Sequence, residues 1–156
     1  MGLQKSVMKW VKVISVLFII VLIYTPTYNE TEEQRINKMI ERGELPYEVV
    51  KVTMYTVDPK QTDNTPLITA SGFQIDSLNP EKHRIIAVSR DLKRKYKFGT
   101  RVMVKGAGKW DGIYTIKDVM NKRWRKKIDI LVNPKFGYDS FRQAKIYPIT
   151  GNSTVR

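Results

Sequence analysis

The sequence predicts a mainly β fold, a small closed barrel or sandwich, and three observations carry that prediction. From Tyr47 onward, short runs rich in β-branched and aromatic residues alternate with turn residues. The runs are Tyr47–Tyr55, Leu67–Ala70, Ile85–Val88, Arg101–Val104, Gly112–Ile116, Lys127–Val132 and Ala144–Ile149, each bounded by Gly, Pro, Asn, Asp or a charged cluster. Between them only Asp91–Tyr96 has the look of a helical turn, while Asp58–Pro66 is polar and proline-punctuated, a loop. Many short strands with irregular loops in about a hundred residues leave room for one domain whose sheet closes on itself or packs on a second sheet.

Two segments precede the strands. Residues 1–27 have the layout of an export signal: Lys5, Lys9 and Lys12 form a basic flank, and Val13 to Tyr24 carry no charge. That apolar run suits either a cleaved signal peptide or, extended back to Val7 with Lys9 and Lys12 snorkelling, an uncleaved anchor. In both cases the lysines stay on the cytoplasmic side and the remainder crosses. The protein is therefore expected to be membrane-anchored or secreted, facing the periplasm or cell wall. Residues 28–46 form a connector. Thr31-Glu32-Glu33-Gln34 has capping-box spacing, Ile36, Met39 and Ile40 follow at helical spacing, and Gly43 is a natural stop. The barrel domain is assigned to 47–150, and 151–156 to a tail.

Composition narrows the chemistry. The chain of 156 residues has no cysteine and a single histidine, His83. Disulfides, thiolate metal sites, cysteine nucleophiles, a Ser-His-Asp triad and a multi-histidine zinc site are set aside on that ground. No metal and no cofactor are expected, and catalysis would rest on carboxylates, hydroxyls, amides and cations. The net charge is +13, and Glu81 to Lys127 alone holds 16 Lys and Arg against four acids. Such a stretch implies an anionic partner such as nucleic acid, a membrane surface or an acidic wall polymer, or else a solvated face that keeps the protein soluble. No recognised nucleic-acid motif is present and the export segment argues against that partner, so nucleic-acid binding is not expected.

Three stretches resemble the three-aspartate (3D) family, whose relatives include membrane-bound lytic transglycosylase A and a group of bacterial and phage cell-wall proteins. The first is Val52-Thr53-Met54-Tyr55 followed by Thr65-Pro66-Leu67-Ile68-Thr69-Ala70-Ser71-Gly72. The second is Ile86-Ala87-Val88-Ser89-Arg90-Asp91 leading to Phe98-Gly99-Thr100-Arg101-Val102. The third is Tyr114-Thr115-Ile116-Lys117-Asp118, then Lys127-Ile128-Asp129-Ile130. An aspartate ending one strand with another beginning the next is the most specific of these. The resemblance implies a double-psi β-barrel of about six strands whose three aspartates, Asp91, Asp118 and Asp129, gather at one groove. The sequence departs from the family where its Asp-Thr-Gly-Gly run is replaced by Asp118-Val119-Met120-Asn121. The loop that follows, Arg123-Trp124-Arg125-Lys126-Lys127, is also far more basic than its glycine-rich counterpart.

The activity implied is cleavage of the peptidoglycan glycan strand by lytic transglycosylation. One carboxyl protonates the leaving oxygen and then takes the proton of the sugar's own 6-hydroxyl, closing an anhydro ring. Such an acid must hold its proton near neutral pH, by burial or beside a like charge. By the resemblance Asp129 is the general acid/base, Asp118 its orienting, pKa-raising neighbour and Asp91 a third member. Thr53, Tyr55, Thr69 and Ser71 are candidates to line the groove with hydroxyls, and Trp124, ahead of Trp110, to stack on a sugar ring. His83 reads as surface. The alternative reading is a non-catalytic peptidoglycan-binding module of the same barrel type, favoured by the bulk of Val119-Met120. Glycan strands and, through the N-terminal segment, the membrane are the expected partners. Oligomeric state is not legible in the sequence.

Overall fold

A computed structural model describes residues 30–58 and 66–149. The expected signal or anchor segment, most of the loop after Asp58 and the tail lie outside the described residues. Among the described residues, no helix is long and apolar enough to cross a membrane. The chain runs through helix α1 (Glu32–Glu41), strands β1 (Glu48–Tyr55) and β2 (Ile85–Val88), helix α2 (Arg90–Lys95), and strands β3 (Arg101–Lys105), β4 (Gly112–Val119), β5 (Lys127–Leu131) and β6 (Phe141–Ile149).

The six strands close into a barrel in the order β1-β5-β2-β4-β3-β6. Two neighbouring pairs are parallel, β1 with β5 and β2 with β4; the other four contacts are antiparallel. Alternation then sorts the side chains. Val50, Val52, Met54, Ile86, Val88, Val102, Val104, Tyr114, Ile116, Ile128, Ile130 and Ile146 point inward and form the main core. Closure leaves no sheet edge exposed, which removes the usual risk of edge-to-edge pairing.

The two mouths are plugged differently. At one, α2 turns back over the end of β2 and sends Leu92 into the core. At the other, a 3-10 turn at Gly108–Trp110 supplies Trp110, whose indole joins the core and donates to Asp139 at 2.7 Å. The reading of Trp110 as a sugar-stacking residue is therefore corrected: its polar neighbours mark a short turn, and the ring itself is buried. Tyr114 donates to the Trp110 carbonyl at 2.8 Å, and burial pushes its phenol up to about 12.

Two layers lie outside the barrel. Helix α1 covers the β6-β3-β4 flank, with Ile36 and Ile40 packed on Met103, Ile113 and Tyr147. It ends as the sequence predicts: Gly43, at φ 69°, lets its N–H reach the Ile40 carbonyl and the Glu44 N–H the Met39 carbonyl, a Schellman closure. The segment 67–76 covers the opposite flank, where Phe73 and Ile75 pack on Tyr55, Ile85 and Leu131. Leu67–Ala70 was expected to be a strand. It forms turns and one isolated bridge, Ile68 with Gln74, because its amides serve a tight loop rather than a ladder. His83, expected at the surface, is half-buried: Nε2 accepts from the Asp76 N–H at 2.9 Å and the ring meets Phe73 edge-on.

Candidate active site

The site begins with register. Thr53 on β1 stands opposite Asp129 on β5, Asp129 opposite Ala87 on β2, and Ala87 opposite Asp118 on β4. Residues abreast in a sheet share a face, and the flanking Val52, Ile128, Ile86 and Ile116 all point into the core. Thr53, Asp129, Ala87 and Asp118 thus form a row across four strands on the outer face. Asp118 reaches that face only because the β2–β4 register slips by one between Ile86 and Ala87. Without this bulge, strict alternation after Ile116 would turn Asp118 inward.

Asp129 is tucked against the sheet. Its Oδ1 accepts the Thr53 hydroxyl, which leaves Oδ2 as the oxygen open to exchange a proton. Burial raises its pKa above the ordinary carboxylate value; the Thr53 hydrogen bond and the Lys127 charge pull the other way, and Asp118 adds a small upward push. The sequence suggests two aspartates side by side. In the fold Ala87's strand separates them, by about 10 Å between Cα atoms from strand spacing. Desolvation, more than a like charge, is what raises the pKa of Asp129.

Asp118 is tied down by amides. Its Oδ1 accepts from Ala70 N–H at 3.0 Å and from Val119 N–H at 2.8 Å, so it pins the 67–76 loop to the end of β4. The Ser71 N–H adds a bond to the Lys117 carbonyl at 3.1 Å. Tyr55, two residues beyond Thr53 on the same face, has a buried hydroxyl with no hydrogen bond of sound geometry. Its pKa lies well above the ordinary phenol value, through burial first, then the charge of Asp118 and the approach of its carboxylate to the hydroxyl, and last the charge of Asp129. The phenol therefore stays protonated, with the Asp118 carboxylate close enough to act on it.

The remaining candidates fall into two groups. Thr69 is buried, shares a 3.0 Å hydrogen bond with the Ser71 hydroxyl and accepts the Phe73 N–H; both hydroxyls shape the loop beside the carboxylates. Trp124, half-buried in the β4–β5 loop, stacks on the Lys127 ammonium at 3.9 Å, and Lys127 in turn is close enough to act on Asp129. Asp91 stands apart. At the start of α2 its Oδ2 accepts the Lys126 N–H at 3.0 Å, and it contributes nothing to the shifts of Asp129 or Tyr55. Burial raises its pKa, but hydrogen bonds from Ser89 and from the amides of Lys126, Asp91 and Leu92 outweigh this and leave it below the ordinary value. It is an ionised anchor for the loop. Sequence reasoning passed over Lys127 and Ala87; the small residue between two aspartate-bearing strands was a usable signal only once the strand order was known.

A cavity of about 240 Å³ beside Trp110 is lined by Tyr114, Phe136, Arg84 and Glu81 among others, and neither Asp118 nor Asp129 lines it. No protein-family model matches the chain, and no curated protein matches it. The arrangement sets a carboxyl of raised pKa in a row with a second carboxylate, beside a buried phenol, a cation and an indole. A carboxyl of raised pKa is a group able to exchange a proton with a bound ligand.

Proposed function

We propose that this chain is an exported double-psi β-barrel of the three-aspartate type that cleaves the glycan strands of peptidoglycan as a lytic transglycosylase. Two parallel strand pairs inside a closed six-stranded barrel support the double-psi assignment. The observation that carries the activity is Asp129: a desolvated carboxyl of raised pKa, one oxygen held by Thr53, in a row with Asp118. Asp129 protonates the glycosidic oxygen, the bond to the anomeric carbon breaks, and the resulting carboxylate takes the proton of the sugar's 6-hydroxyl as that oxygen closes the anhydro ring. Tyr55 supports Asp118 from beneath, Asp118 stabilises the developing positive charge, and Trp124 stacks on a neighbouring ring.

The test uses purified sacculi. The wild type should release muropeptides ending in anhydro sugars, with no heavy oxygen incorporated from labelled water. Asp129→Asn should lower turnover by about 100- to 10,000-fold, the usual worth of general acid–base help. Reducing ends carrying heavy oxygen would identify a hydrolase, and full activity in Asp129→Asn would remove it from the acid's role. One observation favours a second reading, a wall-binding module without cleavage: both amide bonds to Asp118 are those of a structural clamp. Binding to sacculi by both proteins with nothing released would establish that reading.

A further inference from the structure

The basic stretch is not dispersed by the fold. Asp91 Oδ2 accepts the Lys126 N–H, and Ser89 Oγ accepts the Lys127 N–H at 3.1 Å, so the start of α2 is fastened to the end of the β4–β5 loop. Arg90 of α2 and Lys122, Arg123, Arg125 and Lys126 of the loop are thereby gathered on one rim, all exposed. None of the five pairs with a carboxylate among the described residues, whereas Lys95, Arg101, Lys105, Lys109 and Lys135 elsewhere do. The rim adjoins the carboxylate row through Trp124, which lies between Arg123 at 5.0 Å and Lys127 at 3.9 Å.

We infer that this rim is a second binding site, for the phosphodiester backbone of an anionic polymer attached to the glycan strand. The inference rests on the glycan reading of the neighbouring row, because a chain gripped there would carry its substituents across the rim. Five unneutralised cations on a short arc bind regularly spaced monoanions by releasing counterions. A lipid surface fits less well, since an interfacial site inserts large apolar side chains. The exposed large hydrophobics, Tyr47, Val49, Ile68, Leu78, Phe136 and Tyr138, all lie off α2 and this loop. Single-stranded nucleic acid is bound on several stacking aromatics in succession, and the rim has one.

The experiment uses the full chain in mild detergent and measures binding to a synthetic glycerol-phosphate oligomer. Three or four phosphate contacts predict that affinity falls by about 20- to 50-fold between 50 and 200 mM salt. The triple variant Arg90→Gln/Lys122→Gln/Arg125→Gln should abolish most binding and flatten the salt slope by about 2. It should still cleave sacculi chemically stripped of phosphodiester polymer at the wild-type rate. No binding to the oligomer, or an unchanged salt slope in the variant, overturns the inference. So does tighter binding to single-stranded DNA or to vesicles of anionic phospholipid than to the oligomer. Wild type that binds the oligomer but cleaves no sacculi would sink the transglycosylase reading and leave the rim standing.

Discussion

Asp129 lies on the outer face of β5 between Ile128 and Ile130, whose side chains fill the barrel, and that position sets its chemistry. A carboxyl whose folded pKa is raised binds its proton more tightly in the native state than in the unfolded chain. The sign follows. Stability is fully present below the unfolded carboxylate pKa and is lost as pH rises through the folded one. Asp129→Asn, which still accepts from Thr53 but carries no charge, should melt higher than wild type at pH 7 and close to it at pH 3. A lower melting temperature at pH 7 would mean the ionised form is stabilised in the fold. The neighbours tune the same proton in opposite directions. Lys127→Met removes a charge that lowers the pKa, so the basic limb of the activity profile should move to higher pH; Asp118→Asn should move it slightly lower. Movement of both in one direction, in pH–rate profiles, would contradict the assignment of Asp129 as the titrating acid.

Helix α1 shows what an element contributes beyond its own hydrogen bonds. Ten residues are too few to be helical alone, so its stability comes from docking. Ile36, 5% exposed, is the contact that holds it to Met103 and Tyr147. Ile36→Ala should cost about 2–5 kcal/mol in denaturant unfolding, the range for a large-to-small change in a core. The bidentate pair between Arg101 and Glu32, 2.7 Å on both arms, is exposed, and Glu32→Gln should change stability far less. If the two variants lose equal stability, the helix is held by charge and not by packing. The β2–β4 bulge is the other decisive element: one extra residue re-aims Asp118, and no propensity rule foretells it.

At the scale of the whole molecule, charge and barrel divide the labour. The flank Lys5, Lys9 and Lys12 precedes an uncharged run, and Glu30, Glu32 and Glu33 follow it, so the barrel is expected outside the cytoplasm. Alkaline phosphatase fused after Thr150 should be active; an inactive fusion recovered from the cytosol would overturn that topology. The basic rim and the carboxylate row then occupy neighbouring parts of one surface, a division that concentrates cations where a polyanion would lie while keeping Asp129 desolvated.

Strand existence was legible because a short β-branched or aromatic run bounded by turn residues is a local signal: Ile85–Val88 matches the observed strand residue for residue, and three others, β1, β3 and β5, lie within one residue of their expected bounds at both ends. The stop at Gly43 was equally local, a backbone position that favours glycine. Residue type also carried the choice of carboxylates, since a chain with one histidine and no cysteine leaves few other acids. The site itself was not local. Whether Leu67–Ala70 pairs or loops depends on the flank it must cover, and whether Trp110 is core depends on which mouth needs a plug. Asp118, Asp129, Thr53 and Ala87 come from four segments whose adjacency is set by strand order, whereas Asp91 lies past the end of β2, on α2, where it accepts the Lys126 amide. Closure of the barrel decided those things, because a side chain's burial, and with it its pKa, is fixed by what the rest of the chain places over it.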